Sequence, residues 1–423
     1  MSTMLDPRVA QRSAWKCRPA IGSVLLPLLL LLALLPALLA ADDPPQAADG
    51  SPDLAADEAA AEAWPMFRGS LAGTGRSAAH VTLPLVERWH RQIDKTAFEA
   101  TPVIAGGRIF LGDLDGTFHC LDLADGRTLW SKKSEAGFPS AAAVSAAPGR
   151  TTVVVGDGAG LVRAFDAADG TELWTHQTGG EISGGPTLID APDGPRVLIG
   201  SQDATLSCLA VGDGAIHWTH SIADQIRCSP TVAAGKVLLA GCDGKLHVID
   251  AHSGVEDLAV PIDGPTGTTP AAAGGRVLFG SEGGVFWAID VVAGKPAWKL
   301  APSGSSQAYR SSAAIAGGLA LVGTRGRAVE AFAIADGTRA WRQAMRGRVD
   351  GSPVIVHDAA TPGDLLAIVG DSAGKIVALR SSDGEKLWEF DAGSGFASSP
   401  AVAAGSVVMA ADDGTVWCFV ATP

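Results

Sequence analysis

Ala164-Phe165-Asp166-Ala167-Ala168-Asp169-Gly170-Thr171-Glu172-Leu173-Trp174 closes on a turn and, four positions after its glycine, a tryptophan. The pairing recurs as Gly126 with Trp130, Gly214 with Trp218, Gly254 with Leu258, Gly294 with Trp298, Gly337 with Trp341 and Gly384 with Trp388. An eighth copy starts at Ser398-Ser399-Pro400 and reaches Trp417-Cys418-Phe419-Val420, but residue 423 comes before its tryptophan. The tryptophan it lacks stands far upstream, as Trp89 in Val86-Glu87-Arg88-Trp89, with no repeat in front of it. A circle of eight units of about 42 residues, closed by a strand from the start of the repeat region, accounts for both facts. A ring of that size is a β-propeller.

Within one unit, four short β-type runs follow one another: Ala141-Ala142-Ala143-Val144, then residues 152–156, 161–166 and 172–175. Gly, Asp and Pro separate them, and Asp-Gly pairs such as Asp125-Gly126, Asp243-Gly244 and Asp413-Gly414 supply the positive φ of tight turns. No helical period competes between residues 85 and 423. The fold class is therefore all-β: an eight-bladed propeller of four-stranded antiparallel blades, its last blade completed by an N-terminal strand. The innermost strands are expected to begin at Thr101-Pro102, Ser140-Ala141, Gly185-Pro186, Ser229-Pro230, Thr269-Pro270, Ser311-Ser312, Ser352-Pro353 and Ser399-Pro400. Blades crowd near the axis, so only small residues fit there, and Pro at a strand's first residue forfeits little pairing. The tryptophans belong to the outermost strands, where the gap between splaying blades must be filled. Each buried indole contributes at most about 4–6 kcal/mol from its area. Leu258 breaks the series, so the junction beside blade 4 is expected to be the weakest.

The rest of the chain sets the context. The 423 residues are 47% apolar and carry a net charge of -13, which argues against nucleic acid as a partner. Residues 1–41 place Arg8, Arg12, Lys16 and Arg18 before an apolar run from Ile21 to Ala41. This is the layout of an export signal, and it is also long enough for a retained membrane anchor. Both imply export, to the periplasm or cell envelope. Residues 42–63 hold seven acids and no basic residue and read as a disordered linker. Residues 64–84 start with Trp64-Pro65-Met66-Phe67-Arg68-Gly69, too many anchors for a linker, and are expected to pack against one end of the ring formed by residues 85–423.

The phrase Ala164 to Trp174 resembles the tryptophan-docking repeat of the pyrroloquinoline-quinone (PQQ)-type propellers, Ala-x-Asp-x-x-x-Gly-x-Glu-x-Trp. Ala288-Ile289-Asp290 with Gly294 and Trp298, and Ala378 with Gly384 and Trp388, match it in part. Trp64 to Gly69 resembles the opening segment of bacterial members. The resemblance implies the propeller over residues 64–423. It leaves activity open, because the superfamily holds quinone-dependent dehydrogenases and also non-catalytic scaffolds. One such scaffold is the eight-bladed propeller subunit of the outer-membrane β-barrel assembly machinery.

The chemistry-bearing residues favour the scaffold. The family's dehydrogenases carry adjacent cysteines and long insertions that build the cofactor site. Here the nearest cysteine pair is Cys228 and Cys242, and the repeats leave no room for insertions. No catalytic residues, metal ligands or cofactor are expected. Cys120, Cys208 and Cys418 share one repeat position and read as small buried residues. Cys228 and Cys242, across a hairpin, are candidates for a disulfide that compensates for Leu258. Asp113-Leu114-Asp115-Gly116 lacks the later ligands of a calcium loop. His217 and His220 lie on opposite faces of a strand, and His220 aligns with His176 as a surface position. One constellation merits a place as a ligand site: Glu99, Ser183, Arg227, Arg310 and Asp350, three residues before the innermost-strand Pro or its equivalent, with Tyr309 beside Arg310. They belong at the channel mouth, either as a pocket whose arginines hold a carboxylate or as a self-neutralising ring of charge. The function expected is a monomeric, non-catalytic propeller that binds protein partners in the envelope, including a role in outer-membrane protein assembly. The alternatives are a PQQ- or small-ligand-binding quinoprotein and an envelope sensor or adhesion module.

Overall fold

Eight sheets form from the eight repeats, as four short runs per unit require. The computed structural model describes residues 60–147, 149–301 and 308–422. Contacts divide the chain into Met1–Pro52 and Asp53–Pro423, and all described residues belong to the second unit. The export segment and residues 42–59 of the linker lie outside the described residues. No described helix is long and apolar enough to cross a membrane.

Blades 1 to 7 span residues 103–133, 143–177, 187–221, 231–261, 271–300, 314–344 and 354–391. Each is an antiparallel meander in sequence order, innermost strand first. Blade 8 takes its inner three strands from residues 401–421 and its outermost from Leu85–Gln92. Trp89 pairs with Cys418, just as Trp130 pairs with Cys120 and Trp218 with Cys208. The closing strand therefore sits in the register of every other outer strand. A bulge beside this pair recurs in all eight sheets, tightening the twist where the blades fan out.

The tryptophans dock each blade on the next. Trp174 Nε1 donates to Val211 O at 2.8 Å, and Trp130, Trp218, Trp298 and Trp341 repeat the bond to Ala167, Ala251, Ile334 and Ser381. The indole also lies on the turn glycine of the next blade. A Cβ at Gly214, where φ is +75°, would stand 2.7 Å from the Trp174 ring. That contact is why Gly and Trp recur together. Trp388 donates to Leu85 O and Trp89 to Leu123 O, which carries the docking series through the closing strand.

Two expectations change in register. Where no proline marks the start, the innermost strand lies one residue later: Ala141-Ala142 in blade 2 and Ser312-Ala313 in blade 6 occupy the place of Thr101-Pro102. The larger difference concerns residues 60–81. The sequence places residues 64–84 against one end of the ring, whereas the structure runs residues 61–75 along the innermost strands inside the channel. The carbonyls of Ala61, Trp64, Pro65, Leu71, Ala72, Thr74 and Gly75 accept from Ala404, Ile104, Val144, Val232, Ala272, Ile315 and Ile355 in turn. These bonds reach blades 8, 1, 2, 4, 5, 6 and 7. Arg76–Val81 then runs parallel to the innermost strand of blade 7. The physical reason is that innermost strands present unpaired N–H groups to the channel, and a backbone belt satisfies them. Arg68, fully buried in this belt, donates to Pro353 O at 2.9 Å and Ala313 O at 2.8 Å, and burial pulls its guanidinium down to about 9.

Candidate functional site

The residue that leads each blade toward its innermost strand reaches the channel mouth. Around the ring these are Glu99, Pro139, Ser183, Arg227, Gly267, Arg310, Asp350 and Ala397, and with Phe67 they line a depression of about 140 Å³. All five residues chosen from the sequence, Glu99, Ser183, Arg227, Arg310 and Asp350, are thus brought together. Repeat position alone is enough to find them. Tyr309 packs its ring 5.5 Å from that of Phe286 and, with Ser183, Arg227 and Arg310, lines a second depression of about 290 Å³.

One layer below lies a feature the sequence reading missed. Ser229 N donates to Thr269 Oγ1, Thr269 N to Ser312 Oγ, Ser312 N to Ser352 Oγ, Ser352 N to Ser399 Oγ and Ser399 N to Thr101 Oγ1, at 2.9–3.1 Å. Six successive blades are linked near the axis, including the closing junction between blades 8 and 1. The chain stops at Ala141 and Gly185, which bring no hydroxyl. The small residues near the axis are therefore also hydrogen-bonding ones. Their signal was the repeated Ser/Thr before Pro.

Two of the mouth's four charged residues are engaged within the protein. Arg325 Nε donates to Asp350 Oδ1 at 2.9 Å, and Arg227 donates Nε and Nη2 to Gln225 Oε1 at 2.9 and 2.5 Å. Two acids and two arginines in the ring cancel. The depression is smaller than the roughly 300–1,000 Å³ usual for ligand pockets, and Phe67 contributes to its lining. The five cysteines among the described residues are free, and no two are adjacent in sequence.

Cys228 and Cys242 are not cross-linked. Cys228 Sγ donates to Ala240 O and Cys242 Sγ to Thr266 O, at 3.4 and 3.7 Å, and burial pushes the Cys228 thiol up to about 12. Asp113 caps its own turn, accepting from Thr117 N at 2.7 Å and from His119 at 2.9 Å. Burial opposes its ionisation, but these hydrogen bonds outweigh that and hold its carboxyl below the usual range. His220 is not the surface position that its alignment with His176 suggests. Its side chain is 15% exposed and lies against Glu256 of blade 4 rather than on the open surface.

Leu258 has the structural consequence its position implies. At the junction of blades 4 and 5 a cavity of about 540 Å³ opens, lined by Leu258, Leu238, Val248, Val277, Val291 and the Gly274-Gly275 turn. Val291 follows Asp290 as Val211 follows Ala210, so its carbonyl occupies the place that takes an indole N–H elsewhere. Leu258 is also a looser neighbour than tryptophan, since a Cβ at Gly294 would stand 3.3 Å from it. Lys236, held between Asp250 and Asp257 at 2.9 and 2.7 Å, stands at the rim with Arg276. Val292, at 92%, and Val255 and Ile216, at 61% and 56%, are exposed on equivalent turns of blades 5, 4 and 3. Val292 lines the cavity itself, and exposed apolar surface continues onto blades 4 and 3 through Val255 and Ile216.

Comparison with known proteins places this geometry in context. The family described as "Outer membrane protein assembly factor BamB" matches at residues 86–162, 158–257, 235–332 and 325–422. BamB from Moraxella catarrhalis is 18% identical, with a TM-score of 0.61 over 79% of this chain and 97% of that one. Quinohemoprotein alcohol dehydrogenase from Comamonas testosteroni is 15% identical, with a TM-score of 0.70 over 88% and 82%. A europium-containing methanol dehydrogenase is 12% identical, with a TM-score of 0.67 over 87% and 99%. These likenesses show the propeller fold and nothing finer. Among curated proteins no match is found.

Proposed function

The chain belongs to the family described as outer membrane protein assembly factor BamB, and from that premise we propose that it is an exported, non-catalytic scaffold that holds a protein partner in the cell envelope during outer-membrane protein assembly. It works without PQQ or another cofactor, and its N-terminal segment delivers it to the periplasmic side, cleaved or as an anchor. The observation that carries this reading is the apolar cavity between blades 4 and 5. Other junctions fill the place with their own tryptophan. This one leaves it to a bulky apolar side chain from a partner, which would meet the Val291 carbonyl and the exposed Val292. Fully desolvated apolar anchors of this kind dominate protein interfaces. The channel mouth, shallow and self-neutralised, offers no comparable grip.

The test uses Leu258→Trp, which fills the cavity with the residue its neighbours use. The tagged wild-type chain is expected to retain outer-membrane barrel-assembly proteins through purification from envelope fractions, and Leu258→Trp to lose them while unfolding no earlier. Equal retention by a folded Leu258→Trp would remove the cavity from the interface. Bound quinone absorbance and dye-linked alcohol oxidation, with no assembly protein retained, would establish the quinoprotein alternative instead.

A further inference from the structure

A second cluster, outside the mouth and the cavity, joins blades 3 and 4. His220 lies on the outermost strand of blade 3, Ile216–Ser221. His247 lies on the third strand of blade 4, Lys245–Asp250, and Glu256 begins the fourth, Glu256–Pro261. Glu256 stands opposite Ile249, two residues from His247, so both side chains leave the same face of the sheet. That face meets blade 3, and one donor atom from each of His220, His247 and Glu256 lies within 4.8 Å of the others.

The contacts are those of a ligand set rather than of a finished hydrogen-bond chain. His247 Nδ1 approaches Glu256 Oε2 at 2.6 Å. His220 Nε2 is 3.5 Å from the same oxygen, is buried, and has no hydrogen-bond partner. A buried polar atom left in that state requires a reason. The far nitrogen of His247, Nε2, meets both carboxylate oxygens of Asp243, at 3.2 and 3.1 Å. A carboxylate behind a ligating imidazole is the support that metal-bound histidines have, fixing the tautomer and turning the other nitrogen toward the ion. The His247 and Asp243 side chains are 4% and 3% exposed, while Glu256 is 33% exposed. The cluster is therefore rigid on the inside and open on one side.

We propose that His220 Nε2, His247 Nδ1 and Glu256 form a divalent metal site of the zinc class, with Asp243 as its supporting carboxylate. Two imidazoles and one carboxylate suit zinc, whose ligand distances are about 2.0–2.2 Å, and a fourth position remains for water on the exposed side. Entry of the ion replaces the hydrogen bond between His247 and Glu256 and gives His220 the partner it lacks. The carboxylates of Glu256 and Asp243 bring the negative charge that a divalent cation balances. The ion bridges separate blades, clamping blade 4 to blade 3 on the side away from the tryptophan-free junction. The site is structural in kind, a bridge between two blades.

The test is a titration of untagged, chelator-stripped full chain with zinc, read by calorimetry and by metal content after dialysis. We expect one tightly bound equivalent and a higher melting temperature with zinc. His220→Ala and the milder His220→Gln should each weaken binding at least ten-fold and abolish the zinc-dependent melting shift, while melting normally without metal. Asp243→Asn should weaken it less, consistent with a supporting role. Because thiols also bind zinc, Cys228→Ser/Cys242→Ser is the control and should bind as wild type. Cobalt(II) in the site should give a tetrahedral spectrum without a thiolate charge-transfer band. No stoichiometric binding, binding indifferent to His220, or a thiolate band would each overturn the proposal.

Discussion

At the scale of the residue, one side chain governs each junction. An outer-strand tryptophan fills the wedge between blades, lies on a glycine that cannot be anything larger, and donates its N–H to the next blade. Trp174 is only 9% exposed. Trp174→Ala is expected to cost about 3–5 kcal/mol, the usual range for emptying such a site. Leu258→Trp should do the opposite and add about 0.5–2 kcal/mol by filling a cavity that already exists. Denaturant unfolding of both variants checks the pair; a destabilised Leu258→Trp would mean that blade 5 cannot receive an indole. The Gly and Trp spacing was legible in the sequence because it repeats. Leu258 was legible as a gap in that series. The role of His220 was not, because its partners come from strands of another blade, and strand periodicity alone cannot place them.

At the scale of the element, the innermost strands carry two kinds of bond that composition only hinted at. Small residues before proline suggested crowding, and crowding is present. Their hydroxyls also form the chain from Ser229 to Thr101. Ser352→Ala removes the acceptor for the buried Ser312 N–H, at 2.9 Å, and is expected to cost about 1–3 kcal/mol. Ala141→Ser, where the chain is already interrupted, should lie within about 0.5 kcal/mol of wild type. Thermal unfolding of the two separates a hydrogen-bonding role from simple smallness, which predicts that neither change matters. The two register slips arose in blades 2 and 6, the blades without proline at this position. The belt of residues 61–75 was hidden for a different reason. Its grip on the channel runs through backbone carbonyls, which leave little pattern in side-chain sequence.

At the scale of the molecule, the ring was legible almost entirely, since a missing tryptophan at one end and a spare one at the other admit one closure. The five mouth residues were found for the same reason, as position in the repeat fixes position in the ring. Their chemistry was not, because Arg325, which engages Asp350, comes from a separate turn of blade 6, and Gln225, which engages Arg227, lies off the repeat position on the same loop. What distinguishes this propeller from a symmetric one is concentrated in blades 3 to 5: the histidine cluster on one side of blade 4, the empty junction on the other, and three exposed apolar turns beside them. The account places the partner on that sector and not over the channel. A photo-reactive amino acid installed in turn at Val292 and at Glu99, in envelope preparations under illumination, tests this directly. Cross-links to outer-membrane assembly proteins from position 292 and none from position 99 are the predicted result; cross-links from position 99 alone would contradict it.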